Sequence, residues 1–233
     1  LGPGSIYSIT YRWKMAGDHT VRVVFPGDSR NIRAESDPVT VLVQQTQVAD
    51  FTIQTSDPII TYGQSATISG KLYARGGTAP APNTAVTLCH RAIGQANPVC
   101  DMAAVTGTDG GYSFPVRPTS NQVYFAKTTL PPARRTAGLF EGVKDTVTLA
   151  ASAATTTAGE KVLLAGVVTP NKAGEFVYLQ RFGTDGEWHT VTLTRIRFDS
   201  SFSFTRGFES ESSRRFRVRV PGDLQNIGGA SPA

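Results

Sequence analysis

Apolar and polar residues alternate along most of this chain in short runs. Residues 6–14, 20–25 and 38–44 carry the pattern near the start, with Val39, Val41 and Val43 on one face and Thr40 and Leu42 on the other. It returns at 50–54, 65–73, 85–91, 102–106, 112–116, 122–128 and 145–150, then at 161–166, 176–180, 188–197, 200–204 and 215–220. A period of two is that of a strand with one face buried. The runs are punctuated by Pro26-Gly27-Asp28, by Thr108-Asp109-Gly110-Gly111 and by Thr184-Asp185-Gly186, the residue types that hairpin turns require. No stretch holds an apolar period of 3.6, so almost no helix is expected and the chain reads as all-β.

Two stretches are written in the same words. Val21-Arg22-Val23-Val24-Phe25-Pro26-Gly27-Asp28-Ser29-Arg30-Asn31-Ile32 stands near the start, and Phe216-Arg217-Val218-Arg219-Val220-Pro221-Gly222-Asp223-Leu224-Gln225-Asn226-Ile227 near the end. The register is unbroken as far as Ser36 and Ser231. A second repeat sets Gly63–Gly70 against Gly159–Gly166. Self-similarity of this kind marks a serial array of like domains. It divides the chain into a three-strand half-domain at 1–47, a whole domain at 48–150 and a nearly whole one at 151–233. After Ser36 the first copy runs into the strand at 38–44. The last copy stops at Ser231-Pro232-Ala233, so by its own logic the third domain lacks its final strand. A strand from another chain could fill that place, as in strand-complemented fibres, with the N-terminal half-domain as donor. Otherwise the sequence is a trimmed part of a longer array. The absence of an initiator Met and of a leader-like segment fits a piece of something longer.

The chain resembles the immunoglobulin-like tandem domains of bacterial, especially actinobacterial, cell-surface and secreted proteins. The resemblance rests on Gly159–Gly166, on Val177-Tyr178-Leu179-Gln180, Asp185-Gly186-Glu187-Trp188 and Phe216–Asp223, and in the middle domain on Thr108–Phe114, Pro118, Asn121 and Tyr124. It implies β-sandwiches, an extracellular location and a spacer, adhesive or assembly role without catalysis. The partners it implies are neighbouring domains or identical subunits. The motifs report turns and core aromatics rather than a site.

Composition adds little chemistry. The net charge of +5 favours anionic surfaces. No apolar run approaches the roughly 18–20 residues of a membrane span. Cys89 and Cys100, on neighbouring predicted strands, are expected to form a disulfide. It would close a short loop, contribute about 2–3 kcal/mol and fit an exported protein. A zinc site with His90 lacks the spacing. His19, His90 and His189 are scattered, and no nucleophile elbow accompanies them. Asp109-Gly110 and Asp185-Gly186 lack the alternating carboxylates of a calcium loop. No cofactor, metal site or nucleic-acid module is therefore expected, and the chain is read as non-enzymatic.

Two candidate binding features remain. Arg215, Arg217 and Arg219 share one sheet face by their spacing, as a stripe for an anionic partner or as a solvated face neutralised by Glu209 or Glu211. Trp188 and Tyr178, with Phe182 and Trp13, could form a platform for a glycan or could simply pack across strands. A carbohydrate- or wall-polymer-binding accessory module is accordingly the alternative to a structural role.

Overall fold

The computed structural model describes residues 9–11, 17–26, 32–43, 50–129, 133–211 and 213–233. Two compact units are present, residues 1–49 and 50–233. Every regular element among the described residues is a strand.

The first unit contains β1 (Gly17–Val21), β2 (Val24–Phe25), β3 (Ala34–Glu35) and β4 (Val39–Val43). β1 pairs antiparallel with β4, and β2 with β3. Between the two pairs, the Ser36 N–H donates to the Val23 carbonyl at 2.9 Å and the Val23 N–H to Ser36 Oγ at 3.0 Å. The hydroxyl thus replaces a carbonyl that the ladder lacks at this irregularity. The run expected at 20–25 is therefore two strands broken at Arg22–Val23, and Gly17 and Asp18 lie in a strand rather than a turn. Apolar side chains stay exposed here, Val39 at 60% and Val41 at 36%. Among the described residues of this unit no second layer covers them. Most of the run expected at 6–14, including Trp13, lies outside the described residues.

The second unit holds two sandwiches. The first comprises β5 (Gln54–Thr55), β6 (Ile59–Thr61), β7 (Ala66–Lys71), β8 (Ala85–Ala92), β9 (Val99–Val105), β10 (Gly111–Val116), β11 (Gln122–Thr128) and β12 (Leu139–Lys144). One sheet has the order β10-β7-β5 and the other β6-β12-β11-β8-β9. The β6–β12 pair is parallel and the other pairs are antiparallel. The opening segment thus serves both sheets, which is an immunoglobulin-like arrangement. Ile68, Leu72, Val86, Leu88, Phe114 and Val143 fill the space between the sheets. Pro115, which has no N–H to donate, lies on the edge strand β10.

The second sandwich comprises β13 (Thr146–Val147), β14 (Ala150–Ala151), β15 (Lys161–Thr169), β16 (Phe176–Phe182), β17 (Trp188–Arg195), β18 (Ser201–Gly207) and β19 (Phe216–Arg219). β15 pairs with β13 and β14 on one edge and β18 on the other, and the facing sheet runs β17-β16-β19. Val162, Leu164, Val177, Leu179, Phe202 and Val218 form its core. After β19 the chain turns through 221–228 and comes back alongside, the Val220 N–H donating to Gly229 and the Ser231 N–H to Val218.

The pairing corrects one assignment. The run at 145–150 was expected to end the middle domain. The strand that ends it is instead β12, while Thr146 and Val147 pair with β15 of the next sandwich. β12 escapes the alternation test because its inward position 141 is a glutamate. Glu141 is fully buried and accepts a hydrogen bond from Thr55 Oγ1 at 2.6 Å. Burial raises its pKa.

Candidate functional site

The outer face of β17-β16-β19 brings the two sequence-predicted features together. β16 alternates, so Val177 and Leu179 enter the core while Phe176, Tyr178, Gln180 and Phe182 point outward. Pairing sets Phe182 beside Trp188, Gln180 between Thr190 and Arg217, and Tyr178 between Leu193 and Arg219. Trp188 and Phe182 meet edge to face with ring centroids 5.1 Å apart. The Arg215 guanidinium lies 4.1 Å from the Phe182 ring centroid and that of Arg217 4.4 Å from the Trp188 ring. Arg195 covers Phe176 at 4.7 Å. Arg217 Nε also donates to Gln180 Oε1 at 2.8 Å.

Guanidiniums on ring faces are held flat with their N–H edges outward, the presentation that suits carboxylate, phosphate or sulfate. Among the described residues no ion pair involves Arg215, Arg217 or Arg219. Tyr178 stands two rows from Trp188 and does not share its cluster; Phe182 takes that place.

Cys89 and Cys100 are joined in a disulfide that ties the edge strand β9 to β8 just after a bulge. His90 stacks near Tyr124, with Gln122 Oε1 at 3.3 Å and Asp101 at 3.5 Å. Among the described residues no three His, Cys, Asp or Glu side chains gather as a metal site would need.

The second concentration of polar chemistry lies where the sandwiches meet, and the repeated words build it. The loop after β19 carries Pro221-Gly222-Asp223-Leu224-Gln225-Asn226-Ile227 onto the end of the first sandwich. The Ile227 N–H donates to Val143 at 2.8 Å and the Asp145 N–H to Ile227 at 2.8 Å, which extends β12 by a parallel bridge. The Asn121 N–H donates to the Gln225 carbonyl at 2.5 Å, and Asn121 Nδ2 to that of Leu224 at 3.3 Å. Asn226 Nδ2 reaches the carbonyls of Thr119 at 3.2 Å and Val143 at 3.4 Å. Asn226 is buried, and its bond to Val143 forms away from competing water.

Asp223 shapes the loop by accepting from the Gln225 and Asn226 N–H groups, both at 2.7 Å. It also pairs with Lys172, whose side chain is almost wholly buried and lies 4.0 Å from Asp145 Oδ2. Both oxygens of Asp145 are buried without a hydrogen-bond partner among the described residues. Burial raises its pKa to about 6, against the pull of Lys172 and with a further push from Asp223 and Glu175. At Asp223 burial also pushes upward, but Lys172 and the Asn226 and Gln225 N–H groups outweigh it, so its pKa is lowered. Sequence reasoning singled out Asp223 and Asn226 only as repeated words and missed Lys172 and Asp145. The signal available was the repeat itself, which keeps Pro, Gly, Asp, Asn and Ile at five of the seven loop positions.

These observations define a tandem array of immunoglobulin-like β-sandwiches. No family model matches the chain, and no curated protein matches it. Among solved structures, the tetra-tandem repeat in the extending region of a large adhesion protein overlaps 93% of this chain and 56% of its own length, at 17% identity and a TM-score of 0.38. Red sea bream transglutaminase overlaps 78% of this chain at 11% identity and a TM-score of 0.39, and the D0-D1 domain of intimin 79% at 14% identity and 0.31. This chain spans 31% of the transglutaminase and 95% of the intimin domains. The fold rests on the strand pairing described above.

Proposed function

We propose that this chain is a non-enzymatic structural module of an extracellular bacterial surface or secreted protein, a stiff spacer and assembly unit whose partners are like domains. The observation that carries the reading is the junction. A linker alone would let two sandwiches swing independently. Here one sandwich sends a loop into its predecessor through a buried asparagine, a strand extension and a buried charge cluster. The disulfide on an edge strand supports an exported location. The expected result of Asn226→Ala is loss of that coupling with both cores intact. Alignment tensors from residual dipolar couplings, fitted separately to 50–145 and 146–231, should agree in the wild type and diverge in the variant. Divergence already in the wild type would sink the spacer reading.

A second reading draws on the Arg–aromatic face, as a contact for an anionic or glycan cell-surface polymer. Three guanidiniums without an ion pair among the described residues, two of them laid on rings, support it. The chain should then bind polyglycerol phosphate or a sulfated glycan at low salt. Arg217→Ala and Trp188→Ala should each weaken binding about threefold to fivefold, since an exposed cation–π contact and one surface charge contact are each worth about 0.5–1 kcal/mol. Unchanged binding in both variants, or none in the wild type, would remove it.

A further inference from the structure

Each sandwich gathers cations on one side. Outward positions of β8, β11 and β12 alternate with Val86, Leu88, Ala126 and Val143 of the core, and they include Arg91, Lys127 and Lys144. Arg135 bridges to Lys127 and lays its guanidinium 3.6 Å from the centroid of the Phe125 ring. The second sandwich repeats the plan. Leu88 faces Ala126 and Leu179 faces Val218, so Phe125 with its arginine stands where Arg217 does, and Lys127 where Arg219 does. No outward position of β8, β11, β12, β16, β17 or β19 is Asp or Glu. The opposite outer faces carry hydroxyls instead, Thr67, Ser69 and Ser113 in the first sandwich and Ser201, Ser203 and Thr205 in the second. There Lys71 is paired with Asp109, and Arg197 bonds to Ser201 and Ser203.

The junction joins the two basic faces. Ile227 bridges to Lys144 at the end of β12, and Ala230 bridges to Arg219 at the end of β19. The two bridges lie three residues apart on one segment, a separation of at most about 11 Å. Lys144 and Arg219 therefore flank the same short stretch of chain, one from each sandwich. Among the described residues no ion pair involves Lys127, Arg135, Lys144 or Arg219.

We infer that the two faces form one track for a linear polyphosphodiester, a polymer with one anionic group in each repeat and no ring to stack. The inference rests on the second reading above and deepens it, by naming the polymer and carrying its site across the junction. Charge complementarity selects a polyanion. The rings select against a base or a sugar: Arg215 covers Phe182, Arg217 covers Trp188 and Arg135 covers Phe125, so these ring faces are taken. What remains for a ligand is the N–H edges of the guanidiniums, which suit phosphate oxygens. Arg215, Arg217 and Arg219 recur at every second residue, about 7 Å apart along the strand. An extended chain meets such cations in succession. Once one sandwich holds it, the other binds its next stretch at high effective concentration.

The test is calorimetric binding of the whole chain to polyglycerol phosphate in short and long forms, about 5 and about 30 repeats, at low salt and equal phosphate concentration. The long form should bind at least about tenfold more tightly. The double variant Lys127→Gln, Lys144→Gln removes two cations of the first sandwich and none of the second. It should weaken the long form about tenfold, roughly threefold for each surface charge, and leave the short form within about twofold. Arg217→Ala should weaken both forms. Thermal unfolding of the variants at the wild-type temperature would show that the fold is kept. If the double variant binds the long form as the wild type does, or if both forms bind alike, the inference is overturned, and a loss in Arg217→Ala alone would leave the second reading standing on its own sandwich. If a single-stranded oligonucleotide or a sulfated glycan of equal charge binds as tightly as the long form, the choice of polymer is overturned. No binding by the wild type would remove both the track and the reading beneath it.

Discussion

Lys172→Met is expected to destabilise the second unit by about 3–5 kcal/mol at pH 7, because it removes the one cation between two carboxylates withdrawn from water. Methionine preserves the packing of the lysine stem, so the loss isolates the charge. The Asp145 side chain is fully buried and that of Asp223 is 34% exposed, so the greater part of the penalty falls on Asp145. The pH dependence identifies the group. Asp145 has a folded pKa of about 6, above its ordinary 3.8, so folding takes up a proton there. Its contribution to stability is complete below pH 3.8 and is lost as pH rises through 6. The shift corresponds to about 3 kcal/mol. Asp223, held below 3.8, acts in the opposite sense, and its contribution is lost only as pH falls through its own lower value. Between pH 4 and 6.5 Asp145 acts in the same sense as buried Glu141, whose pKa is also raised. Urea unfolding across that range should show the wild type weakening, Asp145→Asn weakening less and standing stronger at pH 7, and Lys172→Met weakening more steeply. A Lys172→Met variant within 1 kcal/mol of wild type at pH 7 would mean that the cluster is not a buried charge network.

Gly166→Ala is expected to cost about 3 kcal/mol, and Gly70→Ala a similar amount, through steric conflict that no rotamer relieves. A Cβ on Gly166 would stand 2.0 Å from the Thr148 carbonyl oxygen and 2.7 Å from the Phe202 ring. A Cβ on Gly70 would stand 2.0 Å from the Thr52 carbonyl oxygen and 2.5 Å from Tyr112 Oη. In both sandwiches the opening strand crosses the next one at this glycine, and the facing aromatic lies against it. Thermal unfolding of each variant should show the altered sandwich melting first while the other holds. A shift in melting temperature below 2 °C for either would show that the crossing can open at little cost.

The alternation of Val177, Leu179, Val218 and Val220 was enough to read strands, and the repeated glycines were enough to read two sandwiches from one plan. β12 was hidden because a strand is recognised by its apolar face, and Glu141 places a carboxyl on that face with Thr55 to receive it. Asp145 looked like the first residue of a strand, yet it is the point where one sandwich hands over to the next. The Arg–aromatic face was half legible. Spacing put Arg215, Arg217 and Arg219 on one side of a strand, but only the β16–β19 register laid Arg217 against Gln180 and Trp188. Lys172 carries no local signal at all. A single lysine in a Pro-Asn-Lys-Ala-Gly loop reads as solvated, and its burial depends on a loop some fifty residues further along.

The returning loop at Asn226 and Ile227 has a mechanical consequence. The Asp145 and Ile227 N–H groups bond across a parallel bridge at the point where the chain passes from β12 to β13. Tension along the backbone would pull lengthwise on that bridge, so its bonds are loaded in shear and must fail together rather than one at a time. The handover between sandwiches, which in a plain linker would be the first place to stretch, is reinforced by residues far along the chain. Each sandwich in such a series would protect the exit of the one before it.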